Sequence, residues 1–225
     1  MTKKYNPKQT VENILSTSTA LFAEKGYDNT SMQDIVNALG MSKGAIFHHF
    51  KSKEDVFNAV MEQAFVRIKG MMHQWLAEMD GLPVKEKLQG LLMRNLTSEA
   101  IMSANSVGAA VIASSPRVLL ATMQGNSNKS APLLAELIRE GIADGSFTTE
   151  FPDECAEVFL LLFNIWCDTF TFACDIPTMR KRLLFLQEMM KRMGVDIVTD
   201  EIIEESIKVT ENIHMEVSKW NTQDR

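Results

Sequence analysis

Residues 42 to 53 read Ser-Lys-Gly-Ala-Ile-Phe-His-His-Phe-Lys-Ser-Lys. Their chemistry is hydrogen bonding to anions and base edges rather than bond breaking. Ser42 is placed to cap a helix. Lys43 behind it can donate to guanine O6 or N7, or to a phosphate. Gly44 and Ala45 are small enough to let a backbone approach another molecule closely, and free amides at helix starts suit phosphate oxygens. The patterns of catalysis are missing: the chain holds no P-loop, no Gly-x-Ser-x-Gly, no His-Glu-x-x-His and no glycine-rich dinucleotide fingerprint. Two of the four histidines, His48 and His49, fall in this run, leaving His73 and His214 elsewhere. The chain is therefore not expected to be an enzyme or to use a cofactor or metal ion.

Presenting such a run takes two short helices meeting at a steep angle. Upstream, Met32, Ile35, Val36 and Leu39 recur at helical spacing. Thr30 can cap that helix, with Gln33 three residues on completing a capping-box pattern. Gly40 ends it and can take the left-handed conformation of a tight turn. Leu39 and Ile35 on one side, and Ile46 and Phe50 on the other, supply the apolar contact that fixes the angle. The outer face of the next helix is then free to enter a major groove, which is the layout of a helix-turn-helix. A preceding helix carries Val11, Ile14, Leu15, Ser18, Leu21 and Phe22 and stops at Gly26. Ser52 caps a long following helix, with Asp55 at the reciprocal position, and the helix runs to Asp80-Gly81-Leu82-Pro83.

The segment from Leu21 to about Phe65 resembles the DNA-binding region of the tetracycline-repressor (TetR/AcrR) family. The resemblance is carried by LFAEKGYDNTSMQDIVNALGMSKGAIFHHFKSKEDVF, above all by Gly-Tyr after the first helix, Thr-Ser opening the second, Gly-Met-Ser-Lys-Gly, and Phe-His-His-Phe followed by Lys-Ser-Lys-Glu. It implies that Thr30 or Ser31 and Gln33 touch the DNA backbone at the start of the second helix, with a base as the alternative target for Gln33. Ser42, Lys43, Gly44 and Ala45 lie on the reading face. Phe47 stands where the family usually has tyrosine, keeping a ring but no hydroxyl, and His48 replaces a common tyrosine or tryptophan. His49 and Lys53 match the usual phosphate-binding histidine and lysine.

The remaining chain also reads as helical. Expected helices cover Val84 to about Ser98, Ala100 to Ala113, Arg117 to about Gln124, Leu133 to Ala143, Pro152 to Cys174, Thr178 to Met193 and Asp200 to Trp220. The polar patch Gly125–Lys129 should separate the third and fourth of these. The longest apolar stretch, Val158 to Trp166, is too short to span a bilayer and no signal peptide opens the chain, so a cytoplasmic protein without a membrane partner is expected. The net charge is −6, yet residues 1–69 carry nine Lys+Arg against seven Asp+Glu, and the remainder carries 14 against 22. That asymmetry fits a small nucleic-acid-binding head on an acidic body. Cys155, Cys167 and Cys174 show no metal spacing and read as packed free thiols or, for the pair seven apart, as a redox switch.

The expected fold class is all-α: a three-helix DNA-binding domain over 1–52, then an α-helical ligand-binding and dimerisation domain over 53–225, connected by a lever helix at about 53–79. One head reads few base pairs, so two copies on a palindromic double-stranded operator are expected. The candidate homodimer surface is 152–174 with 178–193, where Phe159, Phe163, Trp166 and Phe170 form one stripe. The resemblance adds that such helices commonly pair into a four-helix bundle and that the body holds a small-molecule effector pocket. Its candidate lining is Met72, Trp75, Met79, Met102, Val107, Ile112, Met123, Phe163 and Trp166. Asp168, four residues after Asn164, could meet a ligand cation, pair across the dimer, or pair with Arg139 or Arg94. The function this implies is a ligand-responsive repressor, the alternative being a DNA-binding regulator or architectural protein without a small ligand.

Overall fold

The computed structural model describes residues 6–98 and 115–223, whose regular structure is helical, with no strand among them. They divide into two compact units, 1–74 and 75–225, with the division inside a helix.

The first unit begins with α1, Pro7–Lys25, which Asn6 caps and Pro7 opens. Gly26 stops it at φ 79°. Tyr27 then turns inward, and its ring lies 5.4 Å from Phe22 and 4.8 Å from Phe57. Helix α2 is Met32–Leu39. Its cap differs from the expected Thr30–Gln33 pair: Ser31 accepts from the Asp34 amide, and Asp34 accepts from the Ser31 amide. Thr30 is excluded because it is buried, its hydroxyl donating to the carbonyls of Gly26 and Leu21. Gly40 closes α2 in the left-handed region, φ 60° and ψ 22°. Helix α3, Lys43–His49, starts from Ser42 and ends at Phe50. Helix α4, Lys53–Glu78, starts as expected from a reciprocal cap of Ser52 and Asp55. Ile14, Ile35, Ile46 and Val56, all 0% exposed, contribute one buried residue from each of the four helices.

The second unit holds the end of α4, then α5, Val84–Thr97. The expected helix at 100–113 lies outside the described residues. Helix α6, Pro116–Gly125, does not stop at the polar patch. It passes through a π-helical turn, Asn126–Ser130, directly into α7, Ala131–Ala143. Polar side chains are tolerated in a helix whose outer face meets water, and the π turn absorbs the change of register. Helix α8 is Pro152–Leu161, continued by a second π turn, Leu162–Trp166.

There the expected helix to Cys174 ends eight residues early. Asp168 accepts from the Thr171 amide at 2.6 Å, an alternative to helical pairing that such side chains favour. Arg182 donates to the carbonyl of Trp166 at 2.6 Å, satisfying an acceptor that the helix end leaves open. The chain resumes as α9, Ile176–Arg192, and ends with α10, Asp200–Gln223. Helix α10 packs on α5 and α9, and Ile202 and Ile203 are 1% exposed. It is thus part of the body core.

Helix α7 packs on α8 and α5. At its end Phe147 folds back so closely that a Cβ on Gly141 would lie 2.3 Å from the ring. Gly141→Ala is therefore expected to destabilise the chain by about 1–3 kcal/mol through overpacking, although alanine is the better helix former. The check is the midpoint of denaturant unfolding, and a midpoint equal to or above the wild type would contradict the close approach.

Candidate nucleic-acid interface

The first unit presents the amino end of α3 to solvent. Ser42, Lys43 and Gly44 are exposed, while Ile46, two residues further on, has no exposed surface. A Cβ on Gly44 would meet nothing within 4 Å, so its smallness serves no contact inside the chain. Ser42 accepts from the Ala45 amide, fixing the first turn. The Lys43 ammonium stands 5.4 Å from the centre of the Phe47 ring, which limits its sweep without neutralising it. Ala45, Phe47 and His49 are half-buried and His48 is exposed, the two imidazoles meeting edge to face at 5.2 Å. The result is a short face carrying a cation, a ring and two imidazoles around an uncrowded backbone.

The amino end of α2 lies before it in sequence. Ser31 and Gln33 are exposed, and Gln33 donates to Asn37 at 2.9 Å. Asp34 sits below the usual carboxylate range because the Ser31 hydroxyl and amide donate to it and Lys25 pairs with it at 3.1 Å. Sequence reasoning missed this arrangement, although Ser-x-x-Asp at 31–34 has the capping-box spacing. Two further lysines of the head are also engaged. Lys51 donates to the Phe47 carbonyl at 2.9 Å, and Lys53 donates to the carbonyls of Tyr27 and Asp28 at 2.7 and 3.3 Å.

The expected effector lining is dispersed. Met72 lies in the first unit and Met102, Val107 and Ile112 lie outside the described residues. An open cleft of about 320 Å³ in the second unit is lined by Trp75, Arg94, Thr97 and Ser98; of these only Trp75 stood among the expected residues. Met79 is buried, with its sulfur against Gly90. Phe163 stacks on Phe159 at 5.3 Å, Trp166 meets Phe185 and the Arg182 guanidinium, and Phe170 meets His214, so the aromatic stripe divides into three separate contacts. The two arginines suggested for Asp168 are paired elsewhere, Arg94 with Glu78 and Arg139 with Asp153. Cys167 is buried, and burial pushes its thiol up to about 12. Among the described residues no three His, Cys, Asp or Glu side chains are grouped to hold a metal ion, and no helix is long and apolar enough to cross a membrane.

These features define a helix-turn-helix protein with an all-helical body. Residues 14–60 match the family described as bacterial regulatory proteins, tetR family. The transcriptional regulator AcrR of Shigella flexneri is 31% identical over 99 residues, 43% of this chain and 46% of that protein. The transcriptional repressor KstR2 of Mycolicibacterium smegmatis is 27% identical over 147 residues, 63% of this chain and 69% of that protein. The match therefore spans less than half of the AcrR relative. In fold the chain is similar to Salmonella enterica GusR, with a TM-score of 0.61 at 21% identity over 85% of this chain and 98% of that one. Over residues 14–60 the chain thus matches the tetR family, and the relatives it is similar to are HTH-type transcriptional regulators.

The lowered Asp34 carboxyl gives a pH dependence. An acid whose folded value is depressed stabilises the fold above its ordinary value, here 3.8, and loses that contribution as pH falls toward the depressed one. Asp34→Asn is expected to lower the melting temperature at pH 7, and its difference from the wild type should shrink once pH drops below about 4. A difference that stays constant from neutral pH down to that range would show that the ionised carboxylate is not what holds the cap.

Proposed function

We propose that the chain is a dimeric, ligand-responsive repressor working in the cytoplasm on a palindromic operator. The observation that carries this reading is the exposed amino end of α3, with Ser42, Lys43 and Gly44 outside and Ile46 fully buried beneath. A helix held this way can enter the major groove with Lys43 at base edges and Gly44 and Ala45 admitting the backbone. Ser31, Gln33, Phe47, His48 and His49 flank it as contacts to sugar and phosphate.

Dimerisation is supported by α8 and α9. Val158 and Leu161 on α8 are each 40% exposed, and Leu184 and Phe185 on α9 are 45% and 56% exposed. Apolar side chains grouped on two helices suit burial against a second copy. An amphipathic effector is supported by the Trp75 cleft, which sets an aromatic ring beside a guanidinium and two hydroxyls. Helix α4 begins in the DNA-binding unit and ends in the body, and through it effector occupancy shifts the population of DNA-competent dimers.

The test is selection of bound sequences from random duplexes, run in parallel with the wild type and Lys43→Ala. The wild type should sediment as a dimer and enrich a two-fold symmetric sequence. Lys43→Ala should retain salt-dependent binding but lose preference at one position of each half-site, a discrimination of about 1–3 kcal/mol. An unchanged enriched sequence would restrict Lys43 to phosphate, and a monomer enriching a single asymmetric site would overturn the dimeric reading.

A further inference from the structure

We propose that Asn37 is a positioning residue that sets the Gln33 carboxamide to read an adenine edge in each half-site of the operator. The proposal rests on the DNA-binding reading above and takes Gln33 beyond a sugar or phosphate contact.

Helix α2 carries no lysine or arginine, so what its side chains give to DNA is hydrogen bonding rather than charge. At its amino end the Ser31 hydroxyl and the Asp34 carboxylate bond each other, and Lys25 pairs with the same carboxylate. Ile35 and Val36 are buried. Gln33, Asn37 and Ala38 are the exposed residues within the helix, and the first two lie one turn apart on one face.

Gln33 Nε2 donates to Asn37 Oδ1 at 2.9 Å. A primary amide has two N–H donors and one carbonyl oxygen. One donor is taken by Asn37, and that bond decides which way the carboxamide is turned. The second Nε2 hydrogen and Oε1 remain without a partner among the described residues. They form a donor beside an acceptor. The adenine edge in the major groove offers the complement, an N7 acceptor beside the N6 amino donor, and glutamine can bond both at once. Guanine presents two acceptors there, one of which Oε1 would face. The backbone carbonyl of Asn37 accepts the Gly40 amide at 3.3 Å, so the residue that orients Gln33 is itself tied to the turn into α3. An orientation held before binding lowers the cost of ordering a flexible side chain, which is roughly two- to tenfold in affinity.

The experiment starts from sequences selected out of random duplexes by the full chain and by Gln33→Ala. The position whose preference Gln33→Ala loses should be an adenine in each half-site. That adenine is then replaced by 7-deazaadenine, which pairs normally with thymine but lacks the N7 acceptor. The wild type should bind the substituted duplex about tenfold more weakly than the unsubstituted one. Gln33→Ala should show no such loss. Asn37→Ala should lose about threefold, because Gln33 still reaches N7 but must first be ordered. The double variant should match Gln33→Ala, since the two residues act through one contact. Both positions are exposed on a helix and alanine is the better helix former, so the variants are expected to fold.

Each failure has its own mark. A Gln33→Ala variant that weakens every duplex alike identifies a backbone contact and overturns the proposal. Preference lost at a base other than adenine overturns the adenine assignment. A full tenfold loss retained by Asn37→Ala overturns the positioning role. A wild type that enriches no sequence overturns the DNA-binding reading itself, whereas the other three failures all occur with a wild type that has selected its duplex.

Discussion

A helix of seven residues has no stability of its own in water, so the α3 surface exists only because the rest of the first unit holds it. The hold is the burial of Ile46 at its centre and Phe50 at its end, 0% and 9% exposed. Everything the head presents follows from that constraint. Because Ile46 is inside, Ser42, Lys43 and Gly44 are outside, and the left-handed Gly40 sets α3 across α2 instead of letting one helix continue. The three rings of Phe22, Tyr27 and Phe57 then tie α1 and the start of α4 into the same unit. Binding strength in such a design comes from where a few donors are held, more than from the net charge of the head.

The second unit is organised by different means. Its layers are α7 on α8, α5 on α7 and α10, and α9 on α10. One π turn joins α6 to α7 and a second closes the run of α8. In the first, the side-chain nitrogen of Asn126 is buried with no hydrogen-bond partner among the described residues. The irregular segment between α8 and α9 is held in part by Arg182, which donates to Trp166 and Phe172 carbonyls and to the Cys174 sulfur, at 2.6, 3.4 and 3.4 Å. That guanidinium stabilises a helix end that the apolar pattern of 158–166 gave no reason to expect.

What could be read from the residues alone followed how local the governing interaction is. The stops of α1 and α2 and the starts of α3 and α4 were legible because Gly26, Gly40, Ser42 and Ser52 act on their own backbone neighbourhood. The α2 cap was misplaced by one residue, since Thr30 and Ser31 have equivalent capping chemistry and only burial of Thr30 decides between them. The end of α8 was illegible because Arg182, the group that satisfies its open carbonyl, lies sixteen residues away in sequence. The same holds for the site. The exposed face of α3 follows from period and turn, whereas the engagement of Lys53 with the Tyr27 carbonyl spans 26 residues and has no sequence signature. In the body, spacing suggested a continuous aromatic stripe, which divides where the helix ends, and offered Arg94 or Arg139 to Asp168, both of which pair elsewhere.

The most direct test of the account is amide hydrogen exchange of the full chain, free and bound to its selected duplex. Protection should appear at the amino ends of α2 and α3, around residues 31–33 and 42–49, and be absent from α5 and α7. Protection confined to the second unit, with the α3 amides unchanged, would contradict the claim that the buried Ile46 presents a DNA-reading surface.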